Sequence, residues 1–265
     1  MTSWDPEQYL RFAEERARPF HDLVSRVAVR SPATIVDLGC GPGNMTATLA
    51  GRFPGATVRG VDSSEDMIEA AQRYAGPRLS FTVADIRSWR PAEPVDLIVS
   101  NAVLQWVPEH TELFADWLDA LRPGGAFAFQ VPAKGPAGTG EVIRRVTQRP
   151  EWQDRLSDAA AGAGPRTTTT VKHPESYLDE LARLGCAVDA WETTYYHILT
   201  GPDPVLDWFR GTGLRPYFDA LADDPDAAAE FERQMAVALR EAHPAQPYGT
   251  VLPFHRIFVI ARRAD

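Results

Sequence analysis

Cysteine, positive charge and long apolar runs are all scarce in this 265-residue chain, and each shortage removes a class of function. Cys40 and Cys186 are the only cysteines, too few for a disulfide framework. Lys and Arg number 27 against 36 Asp and Glu, and the net charge of −9 argues against nucleic acid as a substrate, because phosphate binding needs a basic surface. Such a protein favours small or cationic partners unless it builds a local basic pocket. No segment reaches about 18 continuous apolar residues. The opening Met1-Thr2-Ser3-Trp4-Asp5-Pro6 has neither a basic n-region nor an apolar h-region. A soluble, cytoplasmic protein with no membrane partner and no obligate protein partner is therefore expected. His21, His110, His173, His197, His243 and His255 are scattered, without H-E-x-x-H or a Cys/His cluster, so no metal site is expected. No internal repeat is visible. What remains is 44% hydrophobic residues, enough for one large α/β domain spanning 1–265 with an inserted piece.

The informative stretch is Thr34-Ile35-Val36-Asp37-Leu38-Gly39-Cys40-Gly41-Pro42-Gly43-Asn44, followed by Val58-Arg59-Gly60-Val61-Asp62-Ser63. A β-branched run, a glycine-rich turn and a second apolar run ending on an acid read as strand, turn, helix, strand. In a dinucleotide fold such a turn cradles a pyrophosphate and the strand tip is free of negative charge. Here Asp37 occupies the tip, and a carboxylate there repels pyrophosphate and suits an ammonium. The glycines run G-x-G-x-G rather than G-x-G-x-x-G. Asp62 follows Gly43 at about the 20-residue separation of an acid that accepts from ribose hydroxyls. A ligand with a ribose and an amino group but no phosphate is implied, which S-adenosylmethionine satisfies.

At this point the residues resemble the class I, Rossmann-like S-adenosylmethionine-dependent methyltransferases, whose glycine motif reads Val36-Asp37-Leu38-Gly39-Cys40-Gly41-Pro42-Gly43 here. The resemblance implies a seven-stranded, mostly parallel sheet with a terminal antiparallel hairpin and a helical cap insertion. Along the chain, 1–30 reads as a helical cover interrupted at Pro19, 31–131 as the cofactor-binding core, 132–172 as a lid with a short helix near Glu141 to Arg149, and 199–250 as the cap. Two helical patterns fill the cap, Pro204 to Phe218 and Pro225 to Ala242. Strands are expected at 34–38, 57–61, 79–83, 95–100, 126–131, 187–198 and 251–261. In the resembled family the cover lies over the cofactor, which makes Tyr9 and Arg16 wall residues. The same family takes the adenine amino group on the acid at Asp85, with Ile86 beside it; the alternative for Asp85 is a loop carboxylate capping Arg87 to Trp89. Met67, one turn into its helix, is placed to cover an adenine face, and Asn101 is delivered to the crevice at a strand end. The expected cofactor set is Tyr9, Asp37, Gly39, Cys40, Gly41, Asp62, Ser63, Met67, Asp85, Ile86 and Asn101.

Methyl transfer is an in-line displacement in which the protein holds donor and nucleophile close, so no catalytic residue is assigned. A phenol or amine must lose a proton, which would call on His197, His110 or His255; a carboxylate, with a pKa of about 4, is already ionised and needs only cations and hydroxyls to orient it. The chain is similar to the trans-aconitate 2-methyltransferase family. The likeness runs through Trp4-Asp5-Pro6, Tyr9-Leu10, Phe12, Glu15-Arg16 and Arg18-Pro19, then Asn101 with Leu104-Gln105-Trp106-Val107-Pro108. It continues in Thr193-Thr194-Tyr195-Tyr196-His197, Asp207-Trp208, Thr212-Gly213-Leu214-Arg215-Pro216 and Pro253-Phe254-His255-Arg256-Ile257-Phe258, and is poorest over 132–172. The resemblance implies a carboxyl O-methyltransferase acting on a small tricarboxylate, with Arg16, Arg18, Trp106, Tyr195, Tyr196, Arg215 and Arg256 expected in the substrate pocket. Two other readings stand beside it: a methyltransferase for a phenolic or natural-product molecule, and a cofactor-binding protein without catalysis.

Overall fold

The computed structural model describes residues 12–133, 138–159 and 171–264. Thr34–Leu38 (β1) is buried from Ile35 onward, as a strand covered on both faces must be. Parallel to it lie β2 (Thr57–Asp62) and then β3 (Leu79–Val83) on one side, and β4 (Val95–Asn101) and then β5 (Leu121–Pro132) on the other. Two long strands follow, β6 (Cys186–Leu199) and β8 (Gly249–Arg263), with the short β7 (Ala245–Gln246) hairpinned onto the start of β8. β8 inserts antiparallel between β5 and β6, giving the order β3-β2-β1-β4-β5-β8-β6. β7 is an addition to the expected strands. The order reverses beside β1, and the crevice outside the carboxyl ends of β1 and β4 is where an open α/β sheet takes its ligand.

Helices cover both faces because alternate strand residues are apolar on both sides. On one face Phe20, Leu23 and Val24 of α1 (Ala13–Arg26) and Leu49 of α2 (Asn44–Arg52) meet Ile35, Val58, Val99 and Phe258. α3 (Glu65–Ala71), capped by Ser64, contributes Ile68 and Ala71 there. On the other face Phe114 and Trp117 of α4 (Phe114–Asp119) and Tyr177 and Leu181 of α7 (Pro174–Arg183) meet Val36, Ile98, Phe127 and Val259. Pro19 does not interrupt α1 as expected: the helix runs through it, and the burial of Phe20, Leu23 and Val24 on the sheet offsets the missing N–H bond.

A third apolar cluster lies in the cap. The expected helix from Pro204 to Phe218 is two helices, α8 (Pro204–Arg210) and α9 (Arg215–Ala220), parted at Gly211-Thr212-Gly213, whereas α10 (Pro225–Ala242) has the expected bounds. The stretch expected to be a lid contributes α5 (Thr139–Thr147) and α6 (Pro150–Gln153) to this cluster. Val142, Ile143 and Trp152 are buried with Trp208, Tyr217, Phe231 and Met235. Among the described residues no helix is long and apolar enough to cross a membrane.

Candidate functional site

The glycine turn owes its shape to backbone that side chains resist. Gly39, Gly41 and Gly43 have φ of +78°, +53° and +79°. A Cβ on Gly39 would stand 2.2 Å from Val103, whereas one on Gly41 would meet nothing within 4 Å, so Gly41 is where the turn faces open space. β2 holds the turn in place. The N–H groups of Gly39 and Cys40 donate to Val61 O at 2.7 and 3.0 Å, and Gly41 N–H donates to Asp62 Oδ2 at 2.9 Å. The other oxygen of Asp62 accepts from Ser64 N–H at 2.9 Å, which leaves lone pairs on both for a further donor such as a ribose hydroxyl. Burial raises the pKa of Asp62 against these bonds.

Asp37 lies beneath the turn, not at an open tip as expected. It is 2% exposed, its Oδ2 accepts from the Thr46 hydroxyl at 2.7 Å, and its Oδ1 is buried with no hydrogen-bond partner among the described residues. Burial, opposed by Thr46 and reinforced by Asp62, pushes its pKa up to about 7. A buried carboxylate with an unmet oxygen and, among the described residues, no cation beside it is short of positive charge, so the turn fits a cationic ligand and rejects a phosphate. The Cys40 thiol is pushed up by burial and by these two acids, and stays neutral. Ser63 is exposed at the strand end, Met67 is buried outside the three apolar clusters, and Ile86 belongs to the cluster of Val36 and Phe127.

From Asn101 the site crosses the sheet through side chains. Gln130 Nε2 donates to Asn101 Oδ1 at 2.6 Å, and Arg256 Nη1 donates to Gln130 Oε1 at 3.2 Å, linking β4, β5 and β8 at one end. Directly after Asn101, Ala102 adopts φ +57°, a conformation that strains a residue with a Cβ. It is held by its N–H on Gln130 O at 3.0 Å and by Gln105 Nε2 donating to its carbonyl at 2.6 Å.

Beyond Pro132, which pairs with Arg256, β6 and β8 run on past β5 and carry a platform of rings. The Arg18 guanidinium lies 5.1 Å from the Tyr195 ring, Arg16 4.8 Å from Trp208, and Arg256 4.2 Å from Phe254. His197 sits among them, parallel to Tyr195 at 6.1 Å and stacked on Trp208 at 5.0 Å. Phe254 packs edge-on to Trp208 at 5.4 Å. Arg16 Nη2 also donates to Trp208 O at 3.2 Å, and the Tyr195 hydroxyl donates to Asp22. Burial and then Arg18, Arg256 and Arg16 pull the pKa of His197 down to about 4, so the imidazole is neutral at pH 7. Planar cations spread on ring faces suit a ligand carrying several carboxylates.

The structure brings Arg16, Arg18, Tyr195 and Arg256 together, and separates other expected residues from them. Tyr196 is 65% exposed, because alternation along β6 points it away from Tyr195 and His197. Arg215 is half-buried in a different place, a cap cleft of about 520 Å³ shared with Arg210, Phe218 and Glu232, where it lies 3.7 Å from Asp219. Asp85, expected to meet an adenine, is exposed and occupied. Its Oδ1 accepts from Arg87 N–H at 2.9 Å and its Oδ2 from Arg87 Nη1 at 3.1 Å, the local turn that short acids favour. Trp106 is half-buried at the end of the 3₁₀ turn Leu104–Trp106. Tyr9 lies outside the described residues. Two of the histidines considered as bases are engaged: His110 meets Val107 O at 2.8 Å and Tyr177 Oη at 2.9 Å, and His255 meets the Thr194 hydroxyl at 2.8 Å and Glu192 at 3.3 Å. Gln130, Trp208, Phe254 and Asp22 belong to the site without having been expected there. Period-two alternation through Tyr195 and His197 was the available signal for the strand; nothing local marked Gln130.

Comparison with known proteins matches the methyltransferase-domain family to residues 35–125. The chain is 49% identical over 270 residues to the trans-aconitate 2-methyltransferase of Streptomyces coelicolor, covering 99% of this chain and 88% of that protein. It is 50% identical over 269 residues to the trans-aconitate 2-methyltransferase of Streptomyces avermitilis, covering 98% and 97%. Among solved structures, the YcgJ protein from Bacillus subtilis shares the fold with a TM-score of 0.59 at 13% identity, over 95% of this chain and 99% of that one.

Proposed function

This chain belongs to the trans-aconitate 2-methyltransferase family, and from that premise we propose that it transfers the methyl group of S-adenosylmethionine to one carboxylate of trans-aconitate, forming a monomethyl ester. The observation that carries this reading is the basic platform of Arg16, Arg18 and Arg256 in an otherwise acidic protein, joined to the strand-end crevice through Gln130 and Asn101.

S-adenosylmethionine, when bound, supplies an electrophilic methyl group on a cationic sulfur. Its amino group, cationic at neutral pH, fits the unmet oxygen of Asp37, and its ribose fits the remaining lone pairs of Asp62 beside the open face at Gly41. The arginines hold the acid and turn one carboxylate toward the methyl. Bonding of a carboxylate oxygen to that methyl carbon would break the carbon–sulfur bond and leave the electron pair on sulfur, so the residues of this site would have no proton to move. That economy agrees with the site's histidines: His110 and His255 are engaged elsewhere, and His197 is too weakly basic to accept a phenolic proton. In this reading residues 1–265 act as one methyltransferase domain with the cap helices as its roof, working in the cytoplasm, where two free cysteines are at home.

Radiolabelled methyl transfer tests it directly, with trans-aconitate, related di- and tricarboxylates and a set of phenols as acceptors. Base-labile label on the tricarboxylate is the expected result, and label on phenols alone overturns the carboxylate chemistry.

A further inference from the structure

The reaction as proposed leaves His197 without a task, yet no other buried imidazole of this chain is placed as it is. His110 has partners on both ring nitrogens, and His243 meets the Thr139 hydroxyl at 2.9 Å. His197 is 2% exposed, and neither of its ring nitrogens has a hydrogen-bond partner among the described residues. A neutral imidazole carries one N–H donor and one lone pair, and leaving buried polar groups unmet is unfavourable. Trp208 is stacked on the His197 ring at 5.0 Å and Tyr195 lies parallel to it at 6.1 Å, so a hydrogen-bond partner has to approach in the plane of the ring. Around it stand guanidinium groups, which donate and cannot accept. The acid that reaches this network, Asp22, takes the Tyr195 hydroxyl. Among the described residues no acceptor meets the His197 N–H, which leaves that place to a ligand.

We propose that His197 is a specificity-determining residue of the acid pocket, donating its N–H to a carboxylate of the substrate other than the one methylated. The inference rests on the reading of the arginine platform as the substrate site. Guanidinium groups draw an anion in, but charge alone reads position loosely. The imidazole edge adds a directional contact, and it does so without placing a further cation among the arginines, where repulsion opposes one. A dicarboxylate that lacks the third carboxylate leaves this donor unmet, which is the arrangement by which buried polar groups reject an incomplete ligand.

The test is steady-state methyl transfer by the full chain on trans-aconitate and on fumarate, with cofactor affinity followed by calorimetry. His197→Phe keeps a ring between Tyr195 and Trp208 and removes both polar atoms; His197→Asn keeps a donor and an acceptor. For His197→Phe the expected result is a KM for trans-aconitate raised about 10- to 100-fold. Its kcat and cofactor affinity stay near wild type, and the preference for the tricarboxylate over fumarate falls by a similar factor. His197→Asn should recover part of the loss. An unchanged KM in His197→Phe, or an equal loss on both acids, overturns the proposal. So does a failure of His197→Asn to bind the acid better than His197→Phe; if His197→Phe folds poorly, an equal loss on trans-aconitate and fumarate in His197→Asn overturns it instead. Wild-type enzyme that methylates no carboxylate refutes the proposed function instead, before either variant is made.

Discussion

At the β1–β2 end of the crevice the chain presents backbone and acid; at the β6–β8 end it presents side chains and arginine. The first end comes from one contiguous stretch, Asp37 to Asp62, and its contacts are N–H groups held on Val61 and on the Asp62 carboxylate. The second draws on residues as far apart in sequence as Arg16, Tyr195, Trp208 and Arg256, held by ring contacts. Among the described residues the first end gathers carboxylates and the second guanidinium groups, so a cation and an anion are each drawn to a different end. A backbone-built end cannot change its ligand without changing the turn, whereas a side-chain-built end can be altered one residue at a time.

The sharpest way to break the first end is Gly39→Ala, whose Cβ meets Val103 in a left-handed conformation. Denaturant melts should show a loss of about 3 kcal/mol and calorimetry no cofactor binding. Next comes the second end. Arg256→Lys removes the planar fork and its bond to Gln130, and should raise KM for the acid about 10- to 100-fold while cofactor affinity holds. The two ends should then part company in pH. Asp37 has a raised pKa near 7 in the free protein, and a bound cation lowers it, so binding releases a proton. Cofactor affinity is accordingly greatest above that pH and should weaken about tenfold per unit as pH falls below it; Asp37→Asn should flatten the dependence in calorimetric titrations. The smallest effect belongs to Tyr196→Ala, an exposed position where stability should change by under about 0.5 kcal/mol and KM not at all.

Legibility in the sequence followed the same division. The glycine turn and Asp62 were readable because their chemistry is local: left-handed glycines, a strand, and an acid at a fixed separation. α10 was readable to its bounds because Asp224 caps it, Pro225 opens it and its apolar face is continuous. Arg16, Arg18 and Arg256 were identifiable as arginines in suggestive places, but their convergence depends on β8 lying between β5 and β6. Tyr195 and Tyr196 could not both face the pocket, since neighbours on a strand point oppositely, and the alternation with His197 favours Tyr195. Arg215 followed by Asp219 at helical spacing, and Asp85 followed by Arg87, carried local pairings that compete with ligand roles. Pro19 was misleading because tertiary burial outweighs one missing bond.

The insertion of β8 between β5 and β6 also sets an order of events during synthesis. β6 pairs with β8 along its full length and has no other neighbour in the sheet, so after residue 199 has been made it stays unpaired until residues 249–263 follow. Throughout that interval β5 has an open edge and Arg256 does not yet exist. A nascent chain can thus assemble the glycine turn early, from strands that are near neighbours in sequence, and complete its arginine platform only after the cap has emerged. The interval also exposes two apolar strand edges to intermolecular pairing. The exposed Asp189 and Glu192 of β6 put charge on either side of that edge strand, which keeps it from pairing with another chain.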